Sequence, residues 1–177
     1  MGTIPSNLLL TGRPGVGKTT LIKHLIQPLE IKVGGFWTEE IRAGGRRVGF
    51  SIKSTTDEEV LAHIDSTSRF RVGPYGVNLS AFERVGVRAI EQAIVSDDLI
   101  IMDELGRMEL YSDRFQDTAV RALDCTKPVL GVIQDRRNVF LDRIRARKDI
   151  ILVRVTLENR AHIADKLSAH LGLMVQG

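Results

Sequence analysis

Cysteine is almost absent: the 177 residues include one, Cys125, so no disulfide can close within the chain and a reducing, cytoplasmic setting is expected. Long apolar runs are missing as well. Leu8-Leu9-Leu10 and Leu99-Ile100-Ile101-Met102 are among the longest, far short of the roughly 20 residues that span a bilayer, and no membrane partner is expected. Residues 1–5 show no basic stretch leading into an apolar one, so no export signal is expected. Histidine is scarce, and His24, His63, His162 and His170 lack metal-ligand spacing; with a lone cysteine, this argues against a zinc centre. Repeats and low-complexity tracts are also missing, which excludes the fibrous and disordered classes.

Acids are lacking in one stretch in particular. Between Arg136 and Lys148, the cations Arg136, Arg137, Arg143, Arg145, Arg147 and Lys148 face only Asp142, and this clustering supplies most of the net charge of +3. Such a stretch suits nucleic acid, a membrane surface or a bound phosphate, and equally a solvated helix face. The rest of the composition, 43% hydrophobic and 27% charged, is that of a globular chain, and the length predicts a single domain over residues 1–177.

Patterning along the chain gives the expected elements. Asn7 to Thr11 is a short apolar strand, and Leu21, Ile22, Leu25, Ile26 and Leu29 then recur at helical spacing up to Pro28 and Leu29. Gly35 to Arg42 and Arg46 to Ile52 flank Ala43-Gly44-Gly45 and predict a hairpin, with another strand over Glu59 to Ile64. Residues 69–78, with Gly73, Pro74 and Gly76, are expected to form a loop. A helix from Ser80 to Ile94 precedes the strand Leu99 to Asp103. Ser112 or Asp113 can cap the next helix, Pro128 to Ile133 is a strand, and Asn138 can cap a basic helix. Ile150 to Val155 is the last strand, and Thr156 can cap a final helix ending at Gly172 as its C′ residue. Apolar strands alternating with amphipathic helices predict a three-layer α/β fold, with a mainly parallel sheet and an added antiparallel hairpin.

One segment carries chemistry. Gly12-Arg13-Pro14-Gly15-Val16-Gly17-Lys18-Thr19 is G-x-x-x-x-G-K-T between an expected strand and an expected helix, the context that identifies a phosphate-binding P-loop. Its glycines let backbone N–H groups surround phosphates at the helix N-terminus. Lys18 reaches the β- and γ-phosphates, the Thr19 hydroxyl binds Mg²⁺, and Thr20 joins the nucleotide-contacting set. The second carboxylate that a P-loop requires stands at the end of Leu99-Ile100-Ile101-Met102-Asp103-Glu104. Asp103 is the candidate metal-side carboxylate and Glu104 the candidate base for an attacking water, although the pair could also cap the following helix. Asp103-Glu104-Leu105-Gly106 matches the D-x-x-G of switch GTPases, whose glycine amide touches the γ-phosphate. No N-K-x-D follows, so guanine specificity is not expected. Arg136 and Arg137, just past an expected strand end, are candidates to stabilise the transferring phosphoryl group, as is Arg107. Phe36 and Trp37 read as core, with base stacking as the alternative.

Further segments add a resemblance. Gly35 to Arg42, Gly45 to Phe50, Val72 to Val77, Asp103 to Leu110 and Val155 to Arg160 run in order over nearly the whole chain. They closely resemble the small P-loop nucleoside-triphosphatase family that includes the cancer-related nucleoside-triphosphatase. The resemblance implies a fold near the RecA/AAA side of P-loop proteins. It also implies Mg²⁺-dependent, slow hydrolysis of ATP, GTP, CTP and UTP to diphosphates with little base preference. It maps Gly12 to Thr19 onto the triphosphate loop and Leu99 to Gly106 onto the second nucleotide-contacting segment. Position 107, often Lys in that family, is Arg107 here and keeps its charge.

The expected protein is therefore a monomeric, cytoplasmic nucleoside-triphosphatase with Mg²⁺ as cofactor. Two alternatives are a P-loop phosphotransferase and a nucleotide-controlled module that binds nucleic acid or protein, with Arg136 to Lys148 as the nucleic-acid contact.

Overall fold

The computed structural model describes residues 6–176; the expectation about an export signal in residues 1–5 lies outside them. The chain runs β1 (Asn7–Thr11), α1 (Lys18–Ile26), β2 (Val33–Ala43), β3 (Arg46–Lys53), β4 (Glu58–His63), β5 (Arg71–Val72) and β6 (Tyr75–Val77). A helical stretch follows, α2 (Leu79–Phe82), a π-turn (Glu83–Val87) and α3 (Arg88–Ser96), and then β7 (Leu99–Leu105). A 3₁₀ turn (Glu109–Tyr111), α4 (Asp113–Asp124), β8 (Val129–Ile133), α5 (Val139–Arg145), β9 (Ile150–Arg154) and α6 (Arg160–Gln176) complete it.

One sheet carries these strands in the order β5-β6-β4-β3-β2-β7-β8-β1-β9. From β2 to β9 the neighbours are parallel, and β3, β4, β6 and β5 extend the sheet antiparallel. Strand β2 serves both halves: Val33 to Phe36 pair with Leu99 to Met102, and Trp37 to Ala43 pair with β3. The inner parallel strands β1, β7 and β8 are apolar over most of their length because both of their faces are covered, whereas the edge strand β9 leaves Leu152 and Arg154 exposed. Leu9, Phe36, Ile100, Met102 and Ile133 face the layer of α3 and α4, whereas Leu8, Leu10, Ile101 and Val132 face α1 and α6. Phe36, Phe82 and Phe115 meet edge to face, 5.1–6.0 Å between ring centres, and tie the first layer to the sheet. No helix of the described residues is long and apolar enough to cross a membrane.

The expected α/β architecture stands, with local corrections. The added antiparallel part is four strands deep, because residues 69–78, expected as loop, hold the short β5–β6 hairpin against β4. Gly172 does not end the last helix, which continues to Gln176 because Met174, like Leu171, is buried against the second layer. The helix starts behave as expected. Ser112, rather than Asp113, caps α4 by accepting from Phe115 N at 3.0 Å, and Asn138 caps α5. Thr156 and Asn159 exchange side-chain to backbone bonds of 2.8 and 3.2 Å just before α6, the reciprocal arrangement of a capping box.

Candidate active site

Because β1, β7, β8 and β9 are parallel, their C-terminal ends share one edge, and everything that follows them gathers there. The loop after β1 curls tightly. Gly12 has φ 144° and no room for a side chain beside the Val155 carbonyl, and Gly17, at φ 97°, feeds directly into α1. Lys18 Nζ donates to the carbonyls of Gly12 and Arg13, both at 2.9 Å, which holds the ammonium inside the curve of the loop. Arg160, at the start of α6, braces the loop from the other side by donating to the Val16 carbonyl at 3.3 Å.

Across from it stand Asp103 and Glu104, joined by a cis peptide, where the β7–β8 register shifts. Asp103 is 2% exposed, and burial pushes its carboxyl up to about 7 against the opposing bond from the Thr19 hydroxyl. Its Oδ2 is buried without a hydrogen-bond partner. Burial also raises Glu104, while Gln134 Nε2, donating to Glu104 Oε1 at 2.6 Å, favours the ionised form. These carboxylates cap no helix; they face the P-loop.

P-loop and carboxylates line one cleft of about 860 Å³. Of the residues singled out from sequence, Gly12, Arg13, Pro14, Gly15, Gly17, Lys18, Thr19, Thr20, Asp103, Glu104, Arg107 and Arg136 line it. Val16 instead packs into the core, and Gly106 lies beneath Gln134 and Glu104. Arg137 points to solvent, its side chain 94% exposed, and pairs with Asp142 at 3.1 Å. Half of the basic stretch is paired from within the chain. Arg145 also pairs with Asp142, at 2.8 Å, and Arg147 pairs with Asp124 and Asp149, both at 2.7 Å.

Sequence reasoning missed three features of the cleft. Gln134 directly follows β8, two residues before the arginine that drew attention there. Arg47, Phe50 and Tyr75 form a ledge on the antiparallel extension, with the Arg47 guanidinium 5.1 and 5.7 Å from the two ring centres. This ledge, and neither Phe36 nor Trp37, supplies aromatic surface to the cleft.

The third is Glu109, 4% exposed, whose carboxyl is held well above its ordinary value by burial and by the neighbouring Glu104. An acid raised by folding supports stability at pH below its unfolded value and loses that support as pH rises towards its folded value. Metal-free Glu109→Gln is therefore expected to melt about 2–4 °C above the parent at pH 8, and level with it at pH 4. Calorimetry at the two pH values checks this; equal melting at pH 8 contradicts it.

Comparison with known proteins agrees with the geometry. The family model described as NTPase matches residues 7–168. The chain is 43% identical over 161 residues, 90% of itself and 92% of the relative, to the nucleoside-triphosphatase THEP1 of Thermotoga maritima. The crystal structure of THEP1 from Aquifex aeolicus superposes with a TM-score of 0.83 at 35% identity, covering 91% of this chain and 96% of that one. The solution structure of a human cancer-related nucleoside triphosphatase gives 0.80 at 33% identity, covering 93% and 96%.

Proposed function

The chain belongs to the NTPase family, and from that premise we propose that it is a Mg²⁺-dependent nucleoside-triphosphatase. It hydrolyses ATP, GTP, CTP and UTP to the diphosphate and phosphate with little base preference, in the cytoplasm. The observation that carries the reading is the placement of Lys18 and Thr19 opposite Asp103 and Glu104 across one cleft.

The donors fit a magnesium ion. The Thr19 hydroxyl lies near enough to Asp103 to favour its ionised form, and Asp103 Oδ2 is buried without a partner. An oxygen-only pair completed by phosphate and water is the usual Mg²⁺ arrangement. Among the described residues no group of three or more His, Cys, Asp or Glu is placed to hold a metal alone, which agrees with a metal that arrives with its nucleotide. Thr19 and Asp103 would hold it, and it would neutralise charge on the phosphate oxygens.

The chain's own groups do the rest. The N–H groups of residues 15–17 and the start of α1 bind the β- and γ-phosphates, Pro14 having no N–H to give, and Lys18 leaves the loop carbonyls to join them. Glu104 takes a proton from water as its oxygen bonds to the γ-phosphorus. The bond to the β–γ bridging oxygen breaks in line, releasing diphosphate and phosphate. Arg136 lines the cleft and is the better placed of the two arginines to meet the charge that develops; Arg137 is engaged with Asp142. Phosphate release from ATP is expected in Mg²⁺, to vanish in excess EDTA and to return when Mg²⁺ is restored. Undiminished release in EDTA contradicts the reading.

A further inference from the structure

Gln134 belongs to no motif, yet its side-chain amide is used at both ends. Nε2 donates to Glu104 Oε1 at 2.6 Å, and Oε1 accepts from the backbone N–H of Arg107 at 3.1 Å. The partners fix the orientation of the amide, since an ionised carboxylate can only accept and a backbone N–H can only donate. The main chain of Gln134 is tied as firmly. Its N–H donates to the Leu105 carbonyl at 3.0 Å, and its carbonyl accepts from the Arg145 guanidinium, which also holds the Arg136 carbonyl at 2.9 Å and Asp142 at 2.8 Å. Gly106 leaves room for this approach: a Cβ there would stand 2.7 Å from Gln134 Cδ and 2.8 Å from Glu104 Oε1.

A glutamate has three side-chain torsions between its backbone and its carboxylate, and a base that wanders through them meets its water in the right direction only part of the time. We propose that Gln134 is the positioning residue for Glu104, holding the carboxylate in the orientation from which it takes the proton of the attacking water. The inference rests on Glu104 being the water-activating group. It also accounts for the arginine on α5: Arg145 anchors the strand end that carries Gln134, rather than meeting a ligand. The role asks for a donor at one end, an acceptor at the other, and the length of glutamine. Leucine keeps the volume and neither bond. Glutamate keeps the acceptor towards Arg107 but turns a second carboxylate on Glu104.

The test is a double-mutant cycle on kcat and KM for ATP, with Gln134→Leu, Gln134→Glu, Glu104→Gln and Glu104→Gln/Gln134→Leu, and melting temperatures alongside. Gln134→Leu is expected to lower kcat by about 10- to 100-fold, the scale of a misplaced catalytic group, with KM within about 2-fold. Gln134→Glu, which keeps the size and the Arg107 contact, is expected to lose at least as much. On Glu104→Gln, adding Gln134→Leu should cost less than about 2-fold more, because the group that Gln134 aims is gone. A merely structural role would lower the melting temperature and multiply its loss in full on Glu104→Gln. That full multiplication, or wild-type kcat in Gln134→Leu or Gln134→Glu, overturns the proposal and leaves the role of Glu104 standing. Wild-type turnover of Glu104→Gln overturns both.

Discussion

Glu104→Gln is expected to lower kcat for every nucleoside triphosphate by about 10²–10⁴-fold, the usual worth of a positioned general base, while nucleotide still binds. The substitution replaces one carboxylate oxygen by an amide nitrogen and changes the size of the side chain little. The neutral amide cannot take a proton from water, so the loss falls on the chemical step and leaves the phosphate contacts of the P-loop in place. The Gln134 amide that now donates to Glu104 Oε1 can still donate to the new side-chain oxygen, so folding is not at stake. Single-turnover hydrolysis, with equilibrium binding measured on the same preparation, separates the two. Unchanged turnover, or turnover lost only because binding is lost, would remove Glu104 from its assigned role.

Lys18→Ala should be as costly in a different way. The ammonium is a full positive charge held inside the curve of the P-loop, 2.9 Å from two loop carbonyls. Removing it leaves the amides and the α1 dipole to hold a polyanion, and takes away charge where it builds up in the transition state. Turnover is expected to fall by about 10²–10³-fold, with weaker binding of triphosphate. Because Lys18 also bridges the loop onto itself, the melting temperature should fall slightly in the absence of nucleotide. Phosphate release at the parental rate from Lys18→Ala would mean that hydrolysis comes from elsewhere.

Much of this was legible in the sequence because the informative residues do one job each. Leu8-Leu9-Leu10 and Leu99 to Met102 are apolar at every position since α1 and α6 cover one face of the sheet and α3 and α4 the other. The P-loop is legible because close backbone approach to phosphate needs glycine at fixed positions, and Asp103-Glu104 because an apolar strand that ends in acids, a weak pattern alone, becomes a strong one beside a P-loop. The β5–β6 hairpin was not legible, since strands of two and three residues within a Gly- and Pro-bearing segment have no period to read. Gly172 misled because burial of Met174 outweighs the small helix penalty of one glycine. Gln134 left no signal because its role comes from β8 lying beside β7 in the sheet, and the Arg47–Phe50–Tyr75 ledge left none because it joins β3 to β6 across the intervening β4. Within the basic stretch Asp142 pairs with two of the arginines, and the acids that pair with Arg147, Asp124 and Asp149, lie outside it and could not be read from the stretch itself.

The most direct test measures free-phosphate release from ATP, GTP, CTP and UTP separately, each in Mg²⁺ and in EDTA, with Lys18→Ala purified in parallel. Comparable Mg²⁺-dependent turnover of all four, lost in the variant, is the expected result. Tight nucleotide binding without phosphate release, or release from one base alone, would contradict a broad-specificity triphosphatase.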